Sequence, residues 1–136
     1  MAYVKENKEQ LGKFFVRMAN QIAGELPEGW THFVVGFFVN TSGGEDLLVY
    51  VTEDEGVSWH DFMDDVFNAD EIITGAFECK ETCQALRAEC ARTGDRWSNF
   101  TLIVEAGGRF SAEFKYEPFE ELTPVLKSMW MGEYLE

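Results

Sequence analysis

Residues 98–116 read SNFTLIVEAGGRFSAEFKY. Two runs of apolar–polar alternation flank a Gly-Gly pair. In the first run Phe100, Leu102 and Val104 share one face. In the second, Phe110, Ala112, Phe114 and Tyr116 alternate strictly with Arg109, Ser111, Glu113 and Lys115. Successive side chains of a strand point to opposite sides, so a period of two marks a strand with one buried face. Gly107 and Gly108 supply the backbone freedom that a tight hairpin turn demands. The stretch predicts an antiparallel hairpin, Ser98–Glu105 with Arg109–Tyr116, whose polar face is open to water.

A second hairpin precedes it in the chain. Thr31–Val39 and Leu47–Thr52 read as strands around the turn chemistry of Thr41-Ser42-Gly43-Gly44-Glu45. Phe33, Val35, Phe37 and Val39 share one face; His32, Val34, Gly36 and Phe38 share the other. With apolar residues on both sides, both are expected to be partly covered. Helices are predicted outside the hairpins. Over residues 5–24, Leu11, Phe14, Phe15, Met18 and Ile22 recur every three or four positions, and Gly24-Glu25-Leu26-Pro27 ends the pattern. Thr74 is expected to cap a helix from Gly75 to Arg92, with Ala76, Cys79, Cys83, Leu86 and Cys90 on one stripe and Gly94 as its stop. Thr123-Pro124 opens a last helix presenting Leu126, Trp130 and Tyr134 on one side. Residues 53–74 have no clear period; Val57, Trp59, Phe62, Val66 and Phe67 fit a helical turn or an ordered loop. The expected architecture is α+β, an antiparallel sheet of about four strands in two hairpins packed with about three helices, as one domain over residues 1–136.

Composition bounds the function. The chain has 136 residues, 46% of them hydrophobic, with twelve Phe, four Trp and four Tyr. Eleven Lys and Arg stand against 25 Asp and Glu, a net charge of −14. Disordered acidic chains are poor in aromatics, so this acidity belongs to a folded domain. It repels phosphates and anionic membrane surfaces, which argues against direct nucleic-acid or membrane binding. No apolar run is long enough to span a bilayer, and the polar first ten residues lack a signal-peptide core. A cytoplasmic location is expected.

The motifs that would carry catalysis or metal binding are weak. His60 is followed by Asp61, a pair that can orient a base, but no Ser or Cys sits in a nucleophile motif. Cys79, Cys83 and Cys90 follow one helical stripe without a CxxC pair or a fourth ligand nearby, so they read as reduced, small core residues. The acids at 61, 64 and 65 lack the alternating ligands and terminal Glu of a calcium loop. No catalytic residue, metal or cofactor is expected.

The charge map is more informative. Between Arg17 and Lys80 lie 62 residues without a Lys or Arg, and thirteen of them are acidic. Such a field costs stability by self-repulsion. A basic protein partner accounts for it, especially where aromatics are interleaved with the acids. The expected contact surface is Glu53, Asp54, Glu55, Trp59, Asp61, Asp64 and Asp65. High charge also favours a monomer, or at most a weak dimer, when free. On residues alone, an acidic adaptor module that binds a basic protein, plain solubility and a small enzyme built on His60 all stay open.

The run TGDRWSNFTLIVEAGGRFSAEFKYEPFEEL, followed near the end by MWMGEYLE, resembles the YezG-like family of bacterial immunity proteins. The likeness rests on Gly94, Trp97, Gly108, Phe110, Phe114, Tyr116, Trp130 and Tyr134, and on Pro27 and Trp30 in IAGELPEGWTHFVVGFFV. It implies an antitoxin that binds and neutralises a cognate toxin domain, often a basic nuclease, of a secreted polymorphic or contact-dependent toxin system. The segment from Glu53 to Ile73 departs from the family pattern, which is expected of a specificity element.

Overall fold

Phe100, Leu102 and Val104 are buried on one side of their strand, and they pair opposite Phe114, Ala112 and Phe110 in the antiparallel register that the alternation requires. The computed structural model describes residues 7–64 and 74–136. In chain order these form α1 (Lys8–Ala23), β1 (His32–Val39), β2 (Glu45–Thr52), β3 (His60–Asp61), α2 (Gly75–Arg92), β4 (Asn99–Glu105), β5 (Phe110–Lys115) and α3 (Pro124–Tyr134). Residues 62–64 add a fourth helical element. The strands make one antiparallel sheet in the order β3-β2-β1-β4-β5, so the two hairpins meet along the central strand β1.

The α+β class holds, but among the described residues there are five strands rather than about four and four helical elements rather than about three. Both additions fall in the segment without a period. β3 pairs only Tyr50 with Asp61 and Val51 with His60, and two residues are too few to show alternation. Val66 and Phe67, read as part of a turn or loop, lie outside the described residues.

One face of the sheet carries the larger core. Leu11, Phe15, Met18 and Ile22 of α1 and Ala76, Cys79, Cys83, Leu86 and Cys90 of α2 are buried against Phe33, Val35, Phe37, Val49 and Phe100. Phe15 stacks on Phe100 with ring centroids 5.4 Å apart, and Phe100 lies 5.1 Å from Phe114. Each such side chain contributes about 1.5–3 kcal/mol when fully buried. The three cysteines are free thiols deep in this layer, and hydrogen bonding to Cys79 together with burial pushes the Cys83 thiol well above the ordinary range. They pack as small core residues.

The opposite face is covered along β1, β2 and β4, where α3 lies across it, in keeping with the apolar residues on both sides of the first hairpin, while on β5 Ser111 and Glu113 stay exposed as the alternation implies. Trp130 packs against Phe38 and Tyr50, at ring distances of 5.7 and 6.1 Å, in a second buried cluster with Val34 and Leu135. Gly36 makes the approach possible. A Cβ there would stand 2.5 Å from Trp130 Cζ2 and 2.9 Å from Cε2, so only glycine leaves the indole room. Trp130 Nε1 donates to Thr101 Oγ1 (2.9 Å), Thr101 donates to Asn99 Oδ1 (3.1 Å), and Asn99 Nδ2 donates to the Phe37 carbonyl (3.2 Å). This buried relay satisfies every group it contains and fixes the helix to β4. On the outer strand Lys115 is ion-paired with Glu133 of α3. Leu126, read as inward, remains 37% exposed.

The helix ends follow local chemistry. Thr123 Oγ1 accepts from Leu126 N (3.2 Å), with Pro124 in the first turn. α2 ends in a Schellman motif: Gly94 (φ 87°) donates to the Ala91 carbonyl and Asp95 N to that of Cys90. Thr74 occupies the N-cap position of α2 as read, but its side chain makes no capping hydrogen bond.

Candidate partner-binding surface

The candidate surface begins where β2 ends. Thr52, almost fully buried, donates its hydroxyl proton to Asp54 Oδ1 (2.7 Å) and accepts from Gly56 N (3.0 Å). Asp54 Oδ1 also accepts from Ser58 N (2.9 Å), and Oδ2 from Ser58 Oγ (2.6 Å). Short polar side chains closing onto nearby backbone shape the turn. Glu55 (φ 55°) and Gly56 (φ 91°) both take left-handed backbone, and Glu55 N donates to Thr31 Oγ1 (3.1 Å). The result is a tied connection that holds out Glu53 and Glu55, both exposed, on either side of Asp54.

The other expected contacts have distinct placements. Asp61 is half-buried and caps the following helical turn, its Oδ1 accepting from Met63 N (3.0 Å) and Asp64 N (3.4 Å). Asp64 is exposed. Trp59 is half-buried and packs against the cluster under α3, so much of its ring belongs to the core. Asp65 lies outside the described residues. The Tyr50 hydroxyl sits between Asp61 and Lys127 of α3; burial, then the Asp61 charge, push its phenol up while Lys127 opposes them. That junction brings β3 alongside α3.

The hydrogen bonds from Ser58 and Thr52 hold the Asp54 carboxyl down to about 2. Its value in an unstructured chain is higher, so its share of loop order is present above the ordinary carboxylate range and is lost as pH falls through about 2. An NMR titration of the Asp54 side chain is expected to show a midpoint near 2, with the Ser58 amide moving in step. In Asp54→Ala the Ser58 amide loses its protection while the core strands keep theirs.

The two long helices mix charges of both signs, with Glu9 on α1 and Glu78, Glu81 and Glu89 on α2 beside their cations. Six of the eleven cations lie on α1 and α2: Lys8, Lys13, Arg17, Lys80, Arg87 and Arg92. At the end of the sheet where β2 finishes, Glu53, Asp54 and Glu55 share the edge with Glu105, which pairs with His32 (3.4 Å) and Arg109 (3.6 Å). At the opposite end Glu45 and Asp46 open β2, and the hydrogen bond from Thr41 N to the Phe119 carbonyl (3.0 Å) brings Glu117, Glu120 and Glu121 close by in the chain. Asp95 is withdrawn from the surface field: it is fully buried and accepts from the Tyr116 hydroxyl (2.7 Å).

His60 is exposed on the edge strand. Among the described residues no three His, Cys, Asp or Glu side chains converge in a way that would hold a metal ion, and no helix is long and apolar enough to cross a membrane.

Sequence reasoning missed the outward side of α3. Val125 and Met129 are 68% and 66% exposed, beside Leu126. The signal was present: a helix that also carries Trp130 and Tyr134 is apolar on more of its circumference than one buried stripe requires.

Comparison with known proteins places these features in context. The family model described as "Immunity protein YezG-like" matches residues 11–136. The chain is 27% identical, over 122 residues, to "Immunity protein YezG" of Bacillus spizizenii (strain ATCC 23059 / NRRL B-14472 / W23), with 79% of this chain and 70% of that protein covered.

Proposed function

Because this chain belongs to the YezG-like family of immunity proteins, we propose that it acts in the cytoplasm by binding a cognate toxin domain and blocking it, and that this domain is basic, as a nuclease must be to hold phosphates. No chemistry of its own is needed for that role. The observation that supports a basic partner is the arrangement of charge: a sheet half built from a stretch without cations, with Glu53 and Glu55 held outward by a hydrogen-bonded loop and Asp64 exposed just beyond β3. Opposite charge raises encounter rates toward about 10⁸–10⁹ M⁻¹s⁻¹ at low salt, and buried contacts then slow release. The proposed contact surface is Glu53, Asp54, Glu55, Trp59, Asp61, Asp64 and Asp65. Within it the geometry divides labour. Asp54 and Asp61 tie their own loop and helix start, whereas Glu53, Glu55 and Asp64 carry exposed charge.

The test is capture of the toxin domain encoded beside this gene by the purified full chain. The native chain is expected to hold it, and a Glu53→Lys, Glu55→Lys, Asp64→Lys variant to bind roughly tenfold more weakly or worse. Unchanged binding by that variant overturns the surface assignment. Failure of the native chain to bind overturns the immunity reading for that toxin.

A further inference from the structure

The outward side of α3 has no role in the fold as described. Val125, Leu126 and Met129 project there, and Met129 also lines a cavity of about 310 Å³ behind the helix. Phe38, Phe119, Leu122, Leu126 and Trp130 supply its apolar walls. Its polar neighbours are committed: the Ser98 hydroxyl lies 2.7 Å from the Glu117 carbonyl, and Asn99 donates to the Phe37 carbonyl. The cavity has room for one large apolar side chain, and a well-packed pocket of this kind is where an interface concentrates its binding energy.

The charges around it select the occupant. Glu117 lines the cavity, and Glu120 and Glu121 are exposed between Phe119 and Leu122, two of its wall residues. Lys115 at the mouth is neutralised by Glu133, and Lys127 turns instead to the Tyr50 hydroxyl. The rim is therefore net negative. A second copy of this chain would bring the same acidic rim against it and be repelled. A cationic surface that presents an apolar or aromatic residue is complementary in both respects.

We infer that the outward face of α3 and the cavity behind it form a contact surface for the basic toxin domain, taking one of its apolar side chains between Phe119 and Met129 while Glu117, Glu120 and Glu121 face its cations. This rests on the immunity reading above and deepens it. The contact of the Tyr50 hydroxyl with Asp61 and Lys127 joins α3 to the β3 edge, while Glu117, Glu120 and Glu121 lie at the end of the sheet opposite Glu53 and Glu55.

The two parts of the surface predict different kinetics. With the purified full chain and the toxin domain encoded beside its gene as probe, Val125→Asn with Met129→Asn is expected to raise the dissociation rate roughly tenfold or more with little change in association. Glu120→Lys with Glu121→Lys is expected to slow association and flatten its salt dependence. All four positions are exposed, so thermal melts are expected to match that of the native chain. If the native chain binds and both double variants bind as it does, the α3 surface is wrong while the immunity reading stands. If the native chain does not bind, that reading fails and the inference with it.

Discussion

Trp130→Ala is expected to remove about 3–5 kcal/mol of unfolding free energy, the largest single loss among the substitutions considered. The indole is 5% exposed and is the one side chain by which α3 inserts between Phe38 and Tyr50. Truncation leaves a cavity that the sheet, held by ladders on both sides of β1, cannot collapse to fill. It also removes the indole N–H that the buried Thr101 hydroxyl accepts from, leaving that hydroxyl only its bond to Asn99 Oδ1. Urea denaturation followed by far-ultraviolet circular dichroism checks the figure. Because α1 and α2 cover the other face, the rest of the molecule is expected to keep a cooperative transition at lower denaturant. A loss below about 1 kcal/mol would mean that α3 is not docked as described.

Gly36→Ala is expected to cost about 1–3 kcal/mol through the same contact from the other side. β1 takes extended backbone at this position, and alanine would normally suit a strand better than glycine. The new methyl, however, would meet Trp130 Cζ2 at 2.5 Å and Phe38 Cε1 at 3.1 Å, both parts of rigid rings. The two substitutions must therefore couple. In a Trp130→Ala background the alanine is expected to cost far less, since the 2.5 Å clash has gone and only the tight 3.1 Å approach to Phe38 Cε1 remains. Additive losses in that cycle would contradict the proposed reason for the glycine.

Most of the architecture was legible because its elements are long and periodic. The buried stripes of α1 and α2 and the alternation of β4 and β5 are repeated several times each, and the caps at Thr123 and Gly94 sit where local chemistry places them. Two features escaped for physical reasons. β3 is two residues long and exists because β2 offers it an edge, which is a tertiary fact. The covering of the second face was expected along β1 and β2 from their apolar residues on both sides; what escaped is the docking of α3 that achieves it, through one glycine meeting one tryptophan 94 positions later, which no local pattern encodes.

The candidate surface divides similarly. A long acidic stretch is visible in the letters, whereas the commitment of Asp54 to Thr52 and Ser58, of Asp61 to a helix start, and of Trp59 to the core depends on how the chain turns. Sequence therefore marks the charged segment, and geometry separates the carboxylates that build it from those that face outward. The apolar exterior of α3 was written in plain view at Val125 and Met129 but was masked by the stronger inward signal of Trp130 and Tyr134.

The central claim is that negative potential held out by a rigid sheet draws in a cationic toxin. It is tested most directly by stopped-flow measurement of the association rate between the full chain and the toxin domain encoded beside its gene, across salt from about 50 to about 500 mM. The native chain should associate roughly tenfold or more slowly at the upper end, and the Glu53→Lys, Glu55→Lys, Asp64→Lys variant should lose most of that dependence. A rate that is the same at every salt concentration, and the same for both proteins, would contradict the account.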